Sequence, residues 1–236
     1  MQSKLPVEAI VLAGGFGTRL QKVISELPKP MAPVAGKPFL QYILDDLNEQ
    51  GMEHVILAVG YLRETIINYF GNKYLKIKIT YSIEEEPLGT GGGILQACKF
   101  AEQENVFIIN GDTFFNVDLQ SLYEFHHEKN ALLSVALKQM KNFDRYGTVE
   151  INNEKRIIAF NEKKYLEEGL INGGIYCLNK KIFPNSLHQK FSFEKEILEK
   201  EFINGNIYGK VYENYFIDIG IPQDYERAQV DFGEED

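Results

Sequence analysis

The spacing of apolar positions changes partway along the chain. From Glu8 to Lys138, short β-branched runs alternate with segments of helical period, the sequence form of a parallel sheet covered by helices. This predicts strands at Glu8–Ala13, His54–Val59, Lys76–Ser82, Val106–Asn110 and Ala131–Lys138, and helices at Phe39–Gln50, Leu62–Phe70, Gly91–Ala101 and Leu119–Lys129. In the first helix Leu40, Ile43, Leu44 and Leu47 recur at i, i+3, i+4, i+7, so that stripe should lie on the sheet.

Beyond Lys138 the runs become short and polar-flanked. They predict strands at Gly147–Ile151, Arg156–Phe160, Gly173–Leu178, Ile207–Glu213 and Tyr215–Ile219, and helices at Phe193–Glu201 and Pro222–Val230, a mixed and partly antiparallel texture. No Pro-, Gly- or Ser-rich linker, repeat or low-complexity segment interrupts the chain. The expectation is one α/β domain over residues 1–236, a Rossmann-like mixed but mainly parallel sheet flanked by helices, with halves at about 1–138 and 139–236.

Composition narrows the function classes. With 236 residues, 44% hydrophobic and 25% charged, the chain is neither disordered nor fibrous and can bury a sizeable core. Against 34 acidic residues stand 25 basic ones, a net charge of −9, so no general basic field attracts nucleic acid or an anionic membrane surface. Any phosphate site must be a local basic feature. The start MQSKLPVEAIVLAGG has no secretory pattern, and no run approaches the roughly 20 apolar residues of a spanning helix. Cys98 and Cys177 stand far apart in no metal spacing and read as small buried apolar residues. A cytoplasmic protein is expected, with no nucleic-acid or membrane partner.

Chemistry is concentrated at the end of the first strand. Leu12-Ala13-Gly14-Gly15-Phe16-Gly17-Thr18-Arg19-Leu20 is a glycine-rich turn where an open α/β sheet binds ligands. Residues without Cβ let backbone N–H groups close around phosphate oxygens, and Arg19 adds a planar donor fork. Neither G-x-G-x-x-G nor G-x-x-x-x-G-K-[ST] fits these residues, which disfavours a dinucleotide fingerprint and a P-loop. In Leu27-Pro28-Lys29-Pro30-Met31 the flanking prolines should hold one cation in an extended segment.

Gly14-Gly15-x-Gly17-Thr18-Arg19-Leu20 followed by Pro28-Lys29-Pro30-Met31 resembles the signature of the sugar-phosphate nucleotidyltransferases, and matching segments recur in the family's order through Asp218. The resemblance implies that the first half binds a nucleoside triphosphate and the second a sugar 1-phosphate. Leu12, Ala13, Gly14, Gly15, Gly17, Thr18, Arg19, Glu84, Glu86, Pro87, Gly89 and Thr90 would bind the nucleotide, the last three within Pro87-Leu88-Gly89-Thr90-Gly91-Gly92-Gly93, which resembles the family's nucleobase segment. Asp112, after Asn110-Gly111, and Asp218, in Asp218-Ile219-Gly220-Ile221-Pro222, would be the metal ligands; Ile221 replaces the usual threonine. Gly147, Glu162, Lys163, Asn172 and Gly173 would meet the sugar phosphate. Arg19, Lys29 and Asp112 would be catalytic, Mg2+ the cofactor and a homodimer the assembly.

These residue types suit the reaction. Joining a sugar 1-phosphate to an α-phosphorus brings two anions together, so alignment and charge neutralisation are required. No general base is needed, because the attacking phosphate oxygen is already ionised. Alternatives stay open at single positions: Asp112 as a capping or turn aspartate, Asp218 in a buried structural pair, Lys163 with Lys164 as solvated charges, and Glu84-Glu85-Glu86 as a solvated turn. His126-His127 reads as surface. A glutamate at 84 or 86 can accept from N1–H and N2–H₂ of guanine, and the whole short chain most resembles members that join GTP to a manno-heptose 1-phosphate. The rivals are a uridylyltransferase acting on N-acetylmuramate 1-phosphate or another sugar phosphate, and a non-catalytic nucleotide-sugar sensor.

Overall fold

A computed structural model describes residues 6–15, 26–184, 189–198, 200 and 205–233. In chain order the elements are β1 (Glu8–Leu12), a 3-10 turn (Lys29–Met31), β2 (Pro33–Val34), β3 (Lys37–Pro38), α1 (Phe39–Glu49), β4 (His54–Val59), α2 (Arg63–Phe70), β5 (Lys73–Tyr74) and β6 (Ile77–Ile83). There follow α3 (Gly89–Ala97), β7 (Asn105–Asn110), β8 (Thr113–Phe115), α4 (Leu119–Glu128), β9 (Leu133–Phe143), β10 (Thr148–Ile151), β11 (Ile157–Asn161) and β12 (Leu166–Asn179). A 3-10 turn (Lys180–Ile182), a π turn (Glu194–Leu198), β13 (Ile207–Tyr212), β14 (Phe216–Asp218) and α5 (Pro222–Asp231) complete it.

Strands β7, β1, β4 and β6 run parallel at the centre of a sheet that has ten strands among the described residues. Their side chains alternate between two cores: Ala9 and Val11 face one and Ile10 the other, with the same alternation through Val55–Val59 and Val106–Ile109. Leu40, Ile43, Leu44 and Leu47 of α1 are all buried, as their spacing predicted. Each such side chain contributes roughly 1.5–3 kcal/mol of burial, so the period-2 strands and the period-3.6 stripe largely dictate this half.

The second half departs from expectation in β12. Instead of Gly173–Leu178 the strand covers Leu166–Asn179, because its polar first part pairs with the outer end of β9 and, at Ile171, with β10. Its last part, Ile175–Asn179, pairs antiparallel with β7, so one strand links the parallel centre to the outer antiparallel region. A bulge between Asn172 and Tyr176 lets it turn, with Gly174 at φ +76°. Cys98 and Cys177 are buried free thiols. His126 is not on the surface: it is 3% exposed and hydrogen-bonds Ser134. Among the described residues no helix is long and apolar enough to cross a membrane.

Candidate active site

The chain leaves β1 for β4 and β6 on one side and returns to β7 on the other, so the strand order reverses between β1 and β7. At such a switch point the connections diverge and leave a crevice at the carboxyl ends. Gly111 permits the close approach there: its N–H donates to the Leu12 carbonyl at 3.0 Å, and a Cβ would lie 2.6 Å from that oxygen. Two adjoining cavities open above these ends and share Leu12, Gly15 and Thr90.

The first cavity, about 420 Å³, lies over the ends of β1, β4 and β6 and the start of α3, lined by Leu12, Gly14, Gly15, Glu84, Pro87, Gly89 and Thr90 with Gly60, Tyr61, Arg63, Glu85 and Gly93. Glu84 turns back into it: Leu88 N–H donates to Oε2 at 3.1 Å. Burial raises the Glu84 carboxyl above the ordinary range, and that N–H opposes the shift. Gly14 and Gly93 make room for it, since a Cβ would lie 3.1 and 2.8 Å from Oε1.

The second cavity, about 640 Å³, holds the charged groups. Lys29 does not lie in an extended segment. Pro28 alone is extended, and Lys29–Met31 form a 3-10 turn closed by Met31 N–H on the Pro28 carbonyl, because the φ fixed at Pro30 suits a helical turn. The turn aims Lys29 Nζ at Asp112 Oδ2 (2.6 Å) and Asp218 Oδ1 (3.4 Å). The carboxylates become neighbours because β8 and β14 pair antiparallel with Asp218 opposite Thr113, and Ile219 N–H donates to the Asp112 carbonyl. Gly220 N–H donates to Asp218 Oδ1 at 2.7 Å. The Asp218 carboxyl is raised by burial, an effect that Lys29 opposes and Asp112 reinforces.

Of the residues singled out in the sequence, Lys29, Asp112, Lys163 and Asp218 meet in this cleft with Leu12, Gly15 and Thr90. Gly17, Thr18 and Arg19 lie outside the described residues. Ala13 lines neither cavity; it is fully buried, and its N–H extends the sheet to the Ala58 carbonyl. Glu86 is exposed and outside both cavities, since the turn that brings Glu84 inward sends it out. Gly147, Glu162, Asn172 and Gly173 are also outside both linings. Asn172 is engaged locally: Oδ1 accepts from Gly174 N–H and Nδ2 donates to the Tyr176 hydroxyl. Gly173 packs under the Phe115 ring.

Other lining residues were not singled out in the sequence. Asn110, Arg145 and Tyr146 stand beside motif residues, so adjacency was the available signal. Glu194 had none. It reaches the cleft because Phe191 and Phe193 bind the start of α3: Gly91 N–H donates to the Phe191 carbonyl, Phe193 N–H to Thr90 Oγ1, and the Thr90 hydroxyl to Glu194 Oε2.

The model of the family described as "Nucleotidyl transferase" matches residues 8–235. This chain belongs to the nucleotidyl transferase family. Among its relatives, a D-glycero-alpha-D-manno-heptose 1-phosphate guanylyltransferase of Aneurinibacillus thermoaerophilus is 58% identical over 94% of this chain and 97% of its own. The enzyme of the same description from Campylobacter jejuni is 49% identical over 93% and 97%. The crystal structure of HddC from Yersinia pseudotuberculosis complexed with GMP-PN superposes with a TM-score of 0.86 at 38% identity, covering 95% of this chain and 99% of that one.

In this nucleotidyl transferase the two carboxylates suit a hard divalent cation. Asp112 and Asp218 keep 38% and 29% of their side-chain surface open to the cleft, and the Lys29 ammonium between them marks a place where positive charge is stabilised. Among the described residues no third acid or histidine completes an all-protein cage. Such a set fits a divalent cation that takes one or two carboxylates and completes its shell with water and substrate phosphates.

Proposed function

We infer that the protein transfers the guanylyl group of GTP to D-glycero-α-D-manno-heptose 1-phosphate, releasing pyrophosphate. The observation that carries this reading is the continuity of the two cavities through Leu12, Gly15 and Thr90, with a half-buried glutamate at one end and Lys29, Asp112 and Asp218 at the other. A nucleotide laid along that path puts its base by Glu84 and its phosphates by Lys29. The Glu84 carboxylate can accept both N–H groups on the Watson–Crick edge of guanine. Identity of 58% over nearly the whole chain to a heptose 1-phosphate guanylyltransferase supports the substrate pair.

In this reading the glycine turn and Arg19 hold the triphosphate, and Lys29 neutralises charge beside the α-phosphate. Asp112 and Asp218 would hold Mg2+, which supplies Lewis-acid stabilisation of phosphate oxygens as charge shifts to the leaving pyrophosphate. Lys163 steers the sugar phosphate into line, and Gly147, Glu162, Asn172 and Gly173, outside both cavity linings, are assigned to the sugar side by the sequence resemblance alone. The chain contributes positioning and electrostatics, the principal sources of rate in phosphoryl-type transfers. A cytoplasmic location, where nucleoside triphosphates are held, and a homodimer belong to the same proposal and are tested by fractionation and light scattering.

The decisive experiment measures pyrophosphate release with magnesium, crossing GTP, UTP, ATP, CTP and dTTP with heptose, mannose, glucose and N-acetylmuramate 1-phosphates. Turnover confined to GTP and the manno-heptose phosphate is expected. Turnover with UTP instead would overturn the assignment of base and sugar while keeping the chemistry, and silence across the panel would favour a nucleotide-sugar sensor.

A further inference from the structure

Two turns distant in sequence contribute to the lining of the larger cavity, the β9–β10 turn carrying Arg145 and Tyr146 and the β14–α5 turn carrying Asp218 to Ile221. An ion pair ties the first turn to the helix that follows the second. Arg145 Nη2 donates to Oδ2 of Asp224, in the first turn of α5, at 2.5 Å. Asp224 is 8% exposed, whereas Arg145 borders the cleft and is only half-buried. The guanidinium lies 5.4 Å from the Tyr146 ring centroid, and that ring meets Phe216 edge-on. A planar fork is thus held by a carboxylate at one nitrogen and by an aromatic neighbour, while its other N–H groups make no hydrogen bond to protein among the described residues.

Charge in the cleft gives this free edge a purpose. Lys29 is engaged by two carboxylates, so that cluster carries a formal excess of one negative charge, and Glu194 adds another. The divalent cation proposed above would offset that excess but would be shared with the triphosphate, so a sugar phosphate entering there needs further cations, and among the described lining residues these are Arg145 and Lys163. Both come from the second half of the chain. Unlike an ammonium, a guanidinium offers paired N–H groups matching two oxygens of one phosphate.

We propose that Arg145, aimed by Asp224, binds the phosphate of the sugar 1-phosphate through its free edge and aligns it for attack. Arg145 is then a substrate-binding residue and Asp224 a positioning residue. The proposal rests on the transferase reading above, so its test includes a binding measurement that needs no turnover.

Full-length wild type, Arg145→Ala, Arg145→Lys and Asp224→Asn would be compared in three measurements: heptose 1-phosphate affinity by calorimetry with a non-hydrolysable GTP analogue present, KM for heptose 1-phosphate, and KM for pyrophosphate in the reverse reaction. Arg145→Ala should weaken heptose 1-phosphate binding and raise its KM about 10–100-fold, as expected for losing a charge-assisted pair. Affinity for the GTP analogue and KM for pyrophosphate should stay within about threefold. Arg145→Lys should recover part of the loss, and Asp224→Asn should shift the same KM by less without changing the thermal midpoint of the analogue-bound enzyme. If Arg145→Lys, which keeps the charge and the bulk of the chain, binds heptose 1-phosphate like wild type, the fork has no such role. A rise confined to the pyrophosphate KM would place Arg145 on the triphosphate, and loss of thermal stability with unchanged affinities would make the pair purely structural; either overturns the proposal. A wild type that binds heptose 1-phosphate by Arg145 yet releases no pyrophosphate would sink the reaction while upholding the contact.

Discussion

Lys29 Nζ stands 2.6 Å from Asp112 Oδ2 and 3.4 Å from Asp218 Oδ1, so one ammonium ties together carboxylates that enter the cleft from opposite halves of the chain. Taking away either negative charge unbalances the group that would hold the metal and the α-phosphate. Asp112→Asn keeps the shape and removes the charge. Turnover by pyrophosphate release should fall about 10²–10³-fold, with affinity for a GTP analogue changed only a few-fold. Near-normal turnover would exclude Asp112 from the chemistry and favour the turn-aspartate reading.

Glu84 should read the purine. Its half-buried carboxyl, raised by burial, sits between the positions of Gly14 and Gly93 in the cavity over β4 and β6. Glu84→Gln loses a charged acceptor worth about 1.5–3 kcal/mol, so kcat/KM for GTP should drop about 10–100-fold. ITP, which lacks the 2-amino group, should lose less, bringing the GTP/ITP ratio towards one. Glu86→Gln, altering an exposed residue outside both cavities, should leave the ratio unchanged. An unaltered ratio in Glu84→Gln would remove it from base recognition.

The glycines should separate by what surrounds them. In isolation Gly→Ala inside a helix stabilises by about 1 kcal/mol. At Gly91 and Gly92 the sign reverses, because a Cβ would fall 2.2 Å from the Phe191 ring and 2.2 Å from the Gln189 carbonyl. Gly92→Ala should cost about 1–3 kcal/mol and lower the melting temperature, since the obstruction is backbone. Among the described residues nothing lies within 4 Å of a Cβ at Gly15, so Gly15→Ala should melt like wild type while weakening nucleotide binding where the two cavities meet. Equal melting of the two variants would contradict the packing argument.

His126 should make the fold acid-sensitive. Burial, helped by neighbouring His127, pushes its pKa down to about 4 from an ordinary 6.5. Between those values the unfolded chain binds a proton that the folded chain refuses, so this contribution is intact above the unfolded pKa and is lost as pH falls through the window. The slope is at most about 1.4 kcal/mol per pH unit. Urea titrations from pH 7 to 4.5 should show a steeper loss in wild type than in His126→Gln, which keeps a partner for Ser134. Parallel slopes would mean that the imidazole gains its proton without strain.

The parallel half was legible because its signals are local. Val55 to Val59 and Val106 to Ile109 alternate between two cores, and the α1 stripe meets one of them, so burial imposes a period that neighbouring residues carry. The first part of β12 carries no such period: Glu167, Glu168 and their neighbours are largely exposed and are strand only because β9 and β10 supply partners. His126 was misread for a related reason, since the helix end that exposes His127 turns His126 inward to Ser134.

By itself the sequence determined the elements of the first half, the glycine turn at a strand's carboxyl end, the proline-flanked lysine and the two aspartates, because these depend on residue type and near-neighbour spacing. Only the tertiary structure decided that Lys29 meets Asp112 and Asp218, that Asp224 aims Arg145, and that Gly91 and Gly92 make room for Phe191 and Gln189. Those relationships span 79 to 189 positions for the ion pairs. At such separations the pairing is set by which strands and helices pack together, and no local pattern of hydrophobic and polar residues encodes it.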